Sequence, residues 1–518
     1  MLRILGNSKK LCNQVTRRDL LQAGGLGLGG LGLADLLAVD RLQAAGTTTA
    51  AGFGKAKSVI VLFLYGAWSQ LDTFDMKPNA PSEIRGEFNS IATSVPGLRI
   101  CEHLPKTAKM MDRLTLVRSL THSYPTHCVA YALSGIPKNP LRDPRDYWPF
   151  YGSTLEYLWS RDAEGVRQPR GIPRQMCLPW LLNSHSTNRS HRGLTSAWLG
   201  PECEPIFGEF KGRATREKGH PSANGSKAAL SHFDPFDGVS RDSTFQLTAE
   251  TITKPAARVT LAHETNKTQV GLPNDVTVDR MNRRRTLLQQ FDESRRGLQK
   301  HNRCRTLSKF QQLAFDMITS ADCARALDVN REPRNVRDQY GYTLFGQAAL
   351  AARRLVESGV RVVTVYWDEF GPANTAWDTH VNNFPRLKDG LCPTLDQVYS
   401  TLLADLDRRG MLDETAVLLL SEHGRTPKIG NKPGGAREHW SYAYNGVFAG
   451  AGFAKGQVIG TTDRQGGYPD RQPTSPKDIL ATLYYSMGID PHTARTKDRL
   501  GRPHPLLPHG RVVREMLG

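Results

Sequence analysis

Several stretches of the chain are apolar without interruption, and they differ from the rest in period. Ser58–Gly66 reads SVIVLFLYG, a β-branched run closed by glycine, which predicts a strand buried on both faces as in a parallel sheet. Leu114–Leu120, Val360–Trp367, Thr415–Ser421 and Asn445–Gly452 carry the same signature. Between them the apolar positions recur at helical spacing: around Leu104–Met111, at His127–Gly135, at Leu344–Gly359, at Cys392–Gly410 and at Ser475–Asp490. Gly135, Gly359 and Gly488 supply the stops. Asp279–Lys300 and Ser308–Leu327 have helical spacing too. Strand–helix–strand repetition predicts an α/β fold: a mostly parallel central sheet with helices on both faces. Residues 186–267 show no period and are rich in Gly, Pro, Ser and Asn, so they read as an irregular, loop-rich insertion over the core.

The N-terminus departs from this pattern. TRRDLLQ (Thr16–Gln22) precedes a Gly- and Leu-rich stretch broken by Asp35, and small residues follow at Ala44 and Ala45. A charged region, a weakly apolar region and small residues read as a signal peptide, and the Arg17–Arg18 pair points to the twin-arginine (Tat) route. The expected organisation is a leader over 1–45, a linker over 46–57 and a single domain over 58–518. No later segment offers ~18 consecutive apolar residues, so no stable transmembrane span is expected. The expected location is periplasmic or at the cell surface, with the Tat translocon as a partner during export.

Composition narrows the function classes. With 39% hydrophobic and 23% charged residues the chain is globular, and its formal charge of +18 attracts anions. Removing residues 1–45 takes away six basic and three acidic residues and leaves about +15. No zinc-finger or RNP-like pattern accompanies the charge, so the expected partner is an anionic small molecule or polysaccharide, and not nucleic acid. The eight cysteines contain no CxxC pair, which argues against a thiolate zinc site.

Candidate chemistry gathers just beyond the predicted strands, where ligands of parallel sheets bind. Glu422, His423 and Arg425 follow Thr415–Leu420, and His439 returns after a glycine-rich loop. Asp378 and His380 stand two apart in the loop after Val360–Trp367, while Thr126 and His127 follow Leu114–Leu120. Asp72 lies six residues past the first strand. Imidazole and carboxylate together suit zinc, manganese or iron, as one ion or as two about 3.5–4 Å apart. Each residue also has a plain structural reading: Asp378 and Asp72 as turn formers, His439 packed on Trp440, Glu422 paired with Arg425, Thr126 as a helix cap. Three strand-exit loops carrying the same residue types are better evidence for a metal than any one of them, and residue type and placement alone leave both readings open.

SQLDTFDMKP, WDTHVNNF, DLDRRGMLDETAVLLLSEHGRTP and SPKDILATLYYSMGI resemble the domain of unknown function 1501 family across almost the whole mature chain. That family is typically Tat-exported and is placed in the alkaline-phosphatase-like superfamily with sulfatases. The resemblance implies an alkaline-phosphatase-like fold and a metal-dependent hydrolase of phosphate or sulfate esters, or else an anion-binding protein on a degenerate hydrolase fold. It implies Glu422–His423 as ligands of one metal, His439 completing another, Asp378 and His380 as the earlier acid and histidine, and Thr126 at the nucleophile position. Arg425 would then steady charge on the transferred group. The superfamily's first acid usually follows the first strand directly, whereas here none occurs until Asp72.

Overall fold

The computed structural model describes residues 51–124, 127–137, 148–161, 343–367 and 377–518, together with shorter stretches between 168 and 341. The expected leader therefore lies outside the described residues, as do Thr126 and most of the helices expected over 279–327. Gly52–Gly518 forms one compact unit.

Its centre is an eight-stranded sheet. In chain order the strands are β1 (Ser58–Leu64), β2 (Leu114–Leu120), β3 (Gln175–Leu178), β4 (Ile206–Phe207), β5 (Val362–Trp367), β6 (Thr415–Leu420), β7 (Tyr444–Ala449) and β8 (Gln457–Ile459). Their spatial order is β8-β2-β7-β6-β1-β5-β3-β4. β1 sits between β5 and β6, parallel to both, with Val61 beside Thr364 on one side and Leu418 on the other. Every residue of β1, β5, β6 and β7 is buried, which is why these strands read as unbroken apolar runs. Each fully buried Val, Leu, Ile or Phe stabilises the fold by about 1.5–3 kcal/mol, so one charge placed at Leu62 would break the sheet's centre. β7 alone runs antiparallel, between β2 and β6. It thereby enters the sheet at the end where β1, β5 and β6 leave it.

Helices flank the sheet, among them α1 (Val129–Ser134), α2 (Tyr151–Trp159), α3 (Leu344–Glu357), α4 (Cys392–Arg408) and α5 (Pro476–Ser486). α3 packs on β5, β1 and α4, while α5 packs on α1. The start of α5 is fixed by a capping box, in which Ser475 accepts from the Asp478 backbone and the Asp478 side chain accepts from the Ser475 N–H. The expected helix at Leu104–Met111 is reduced to a single turn, Pro105–Ala108, followed by a 3₁₀ turn at Met111–Arg113. The region 186–267 holds more than loops. Its described parts include β4, which extends the main sheet, and a three-stranded antiparallel sheet of Phe210–Arg216, Ser231–Asp234 and Arg258–Leu261. No helix among the described residues is long and apolar enough to cross a membrane. The six described cysteines are buried and free of disulfides.

Candidate metal centre at the strand exits

The loops leaving β1, β2, β5 and β6 converge at one end of the sheet, and the segment entering β7 joins them there. Beyond β6 the chain turns into a two-stranded hairpin in which Gly424–Arg425 pairs with His439–Trp440. This pairing brings His439 back beside His423. Beyond β1, Gly66 has φ +93°, and a Cβ there would stand 2.3 Å from the Asp378 amide nitrogen. Glycine lets the β1 exit pass against the backbone carrying Asp378, and the Trp377 N–H donates to the Tyr65 carbonyl at 3.0 Å.

Four histidines and an aspartate meet in this space. Histidines 127, 423 and 439 bring one ligand atom each to within 4.8 Å of one another, and so do Asp378, His380 and His439. The His127 ring stands 4.2 Å from that of His439 and stacks on Tyr65 at 4.9 Å. Asp378 is the hub. His380 Nε2 lies 3.0 Å and His439 Nε2 3.2 Å from its Oδ1, His127 Nε2 lies 3.4 Å from its Oδ2, and Arg425 donates to Oδ1. Burial alone would raise the Asp378 carboxyl, but Arg425 and the three histidines hold it well below the usual carboxylate range.

His423 carries the most informative atom. Its Nδ1 lies 2.8 Å from the Gly424 carbonyl. A carbonyl only accepts, so Nδ1 bears the proton and Nε2 presents a lone pair. That Nε2 is buried and has no hydrogen-bond partner. Burial also holds the imidazole well below its ordinary pKa, which keeps it neutral. A buried polar atom without a partner costs roughly 1–3 kcal/mol. Here the atom points into a group of imidazoles, and a neutral imidazole nitrogen with its other nitrogen anchored to a carbonyl is the form that ligates metal. The donor set thus fits a divalent ion.

Two more carboxylates orient histidines from behind. Glu422 is fully buried and accepts from the Gly66 N–H at 2.9 Å and from His127 Nδ1 at 2.7 Å. Burial pushes its carboxyl up, yet these hydrogen bonds and the nearby imidazoles bring it down to about 2. Burial likewise opposes charging of His127, but Asp378 and Glu422 outweigh it and lift the imidazole to about 9. Glu438 bonds His380 Nδ1. His122 ties the β2 exit to the same place, donating from Nε2 to the Glu422 carbonyl at 2.7 Å while Nδ1 accepts from the Tyr124 N–H at 3.1 Å.

Three expected roles change. Asp72 is not in the cluster: Arg437 Nε and Nη2 hold its two oxygens at 2.7 Å each, and Asn383 donates to Oδ2 at 2.9 Å. Its charge is consumed by a buried bidentate pair. Arg425 is fully buried, and besides Asp378 its guanidinium donates to the carbonyls of residues 66, 67, 377 and 437, so it clamps Asp378 and the β1 exit and cannot reach a transferred group. Glu422 belongs to neither three-donor group and stands behind His127. The helix α1 begins at Val129 and has six residues, so His127 precedes it. Glu438 and Tyr65 escaped sequence reasoning. Glu438–His439 repeats the acid–histidine dipeptide of Glu422–His423, which is a usable signal, whereas Tyr65 carries none.

The family model described as "Protein of unknown function (DUF1501)" matches residues 56–517. No curated protein matches the sequence. Among solved structures, the chain is similar to the PsFucS1 sulfatase from Pseudoalteromonas sp., at 13% identity over 88% of this chain and 71% of that one, with a TM-score of 0.33. It is similar to the phosphonate monoester hydrolase SpPMH from Silicibacter pomeroyi, at 11% identity over 89% of this chain and 76% of that one, with a TM-score of 0.34. A third similarity is to the lipoteichoic acid synthase LtaP from Listeria monocytogenes, at 9% identity over 91% of this chain and 80% of that one, with a TM-score of 0.32.

Proposed function

This chain belongs to the DUF1501 family, and we propose that it is an exported, metal-dependent hydrolase of phosphate or sulfate esters. The observation that carries the reading is the buried, unpartnered Nε2 of His423, aimed among imidazoles at the C-terminal end of a largely parallel sheet. His439 would hold the ion together with His127 and His423, or with Asp378 and His380. Nitrogen and carboxylate donors suit zinc, manganese or iron. The two donor groups share His439, so they describe one ion at a time and about one equivalent is expected. When bound, such an ion supplies Lewis acidity toward a non-bridging ester oxygen.

The chain's own residues prepare that site. Glu422 fixes the ring of His127, Glu438 fixes His380, and Arg425 pins Asp378 through Oδ1, the oxygen that His380 and His439 also face. Thr126 precedes His127 in the chain, and its hydroxyl is the proposed nucleophile. The rival reading is a non-catalytic protein with an anion pocket, which a pocket holding Arg425 would favour, and that guanidinium is buried and bonded to carbonyls and Asp378. Export by the Tat route rests on Arg17–Arg18 and the small residues near Ala45.

The test is metal content of the folded mature chain, wild type against His423→Ala with His439→Ala, followed by a screen of aryl phosphates and sulfates. About one equivalent of zinc, manganese or iron, lost in the variant, together with ester turnover in the wild type, is the expected result. A folded wild type that takes up none of these ions would overturn the proposal.

A further inference from the structure

The hairpin that delivers His439 also builds a surface. From His439 onward the side chains alternate: Ser441 and Ala443 are fully buried, whereas Trp440 is half-buried and Tyr442 is 36% exposed. Tyr468 joins them from the adjacent hairpin, Thr461–Thr462 paired with Pro469–Arg471, and is 52% exposed. The ring of Trp440 stands 5.2 Å from that of Tyr442 and 5.6 Å from that of Tyr468, and the two tyrosines are 5.6 Å apart. The Trp440 indole N–H donates to the Gly467 carbonyl at 2.6 Å, which fixes the central ring.

Three aromatic rings held together at the surface, two of them one and three residues beyond His439 in the segment that enters β7, are an unusual use of apolar area. Resting on the hydrolase reading above, we infer that Trp440, Tyr442 and Tyr468 form a stacking platform for one sugar ring of an anionic glycan whose ester group reaches the histidine cluster. The geometry selects the ligand class. The rings are mutually inclined by 66°, 73° and 42°, so no parallel pair offers a slot for a flat base. An inclined set presents a shallow corner, which suits a puckered ring with axial C–H groups against aromatic faces and hydroxyls against phenol tips. Arg464 and Arg471 are exposed on the hairpin that carries Tyr468, and the chain's charge of +18 favours a polyanion.

The test titrates the mature chain by calorimetry against a panel of sulfated and phosphorylated oligosaccharides, their neutral counterparts, and adenosine monophosphate. Metal content and melting temperature are read on the same samples. Binding of at least one anionic oligosaccharide is expected, weakened roughly five- to tenfold in Tyr468→Ala and further in Tyr442→Ala with Tyr468→Ala. Metal content and melting temperature should stay as in wild type. A wild type that binds no oligosaccharide, or variants that bind as wild type does, would sink the platform even with metal present. So would tighter binding of the nucleotide, or self-association that the substitutions abolish. Oligosaccharide binding that depends on the three rings in a protein that takes up no metal supports the platform and overturns the hydrolase reading instead.

Discussion

Asp72 and Asp378 invite comparison, because each is an aspartate beyond the first layer of strand ends and each faces an arginine of the Gly424–His439 segment. Around Asp72 everything is matched. Arg437 covers both oxygens, Asn383 adds a third donor, and the remaining guanidinium N–H groups go to the carbonyls of Ile84, Thr426 and Pro427. Around Asp378, Arg425 shares Oδ1 with His380 and His439, His127 stands at Oδ2, and the orphaned His423 nitrogen lies among the same imidazoles. A buried carboxylate closed by one arginine holds structure, while a carboxylate shared among imidazoles, beside an imidazole nitrogen with no hydrogen-bond partner, suits the uptake of something that is not protein.

The comparison breaks most visibly by removing one partner on each side. Arg437→Ala strands the Asp72 charge in the interior and should cost about 3–5 kcal/mol, read as a lowered midpoint in urea, with metal per folded molecule unchanged. Equal metal loss in that variant would erase the distinction between the two aspartates. On the other side, His423→Ala removes a nitrogen without a hydrogen-bond partner along with the Nδ1 bond to the Gly424 carbonyl, so the chelated protein should lose only about 1–2 kcal/mol, while metal affinity falls at least about 100-fold. A large loss of stability without metal would mean that His423 is a packing residue.

Glu422→Gln is gentler. It keeps the shape but weakens the hold on His127, and metal affinity should fall about 10–100-fold with little change in the absorbance or circular dichroism of the fold. Smallest is a pH effect confined to metal-free protein. His127 is lifted from 6.5 to about 9 in the fold. Its contribution is therefore fully present below about pH 6.5 and fades as the pH rises through 9. Chelator-treated wild type should lose melting temperature between pH 6.5 and 9, and His127→Gln should lose that slope. A slope that survives the substitution would place the titration elsewhere.

Much of the fold was legible. Strands buried on both faces cannot alternate, so β1, β5 and β6 announce themselves as apolar runs, and the capping box at Ser475–Asp478 is a contact three residues long that any reader of the sequence can find. The strand-exit loops meet at one end of the sheet, and His127, Asp378, His380, His423 and His439 assemble there. Arg425, Glu422 and Asp72 have partners that no local pattern in the sequence could show, because those partners are distant in the chain. Asp72 meets Arg437 across 365 positions, and Arg425 meets Gly66 across 359.

The sequence by itself thus determined the elements, their stops and the loops that carry chemistry, because periodicity, capping and glycine conformations are local properties of a few neighbouring residues. Only the tertiary structure decided which carboxylate is spent on an arginine and which faces open donors. That choice depends on charges and hydrogen bonds summed through space, where Glu438, Tyr65 and the Gly66 N–H count as much as any motif residue, and where the hairpin pairing of Arg425 with His439 sets which side chains meet.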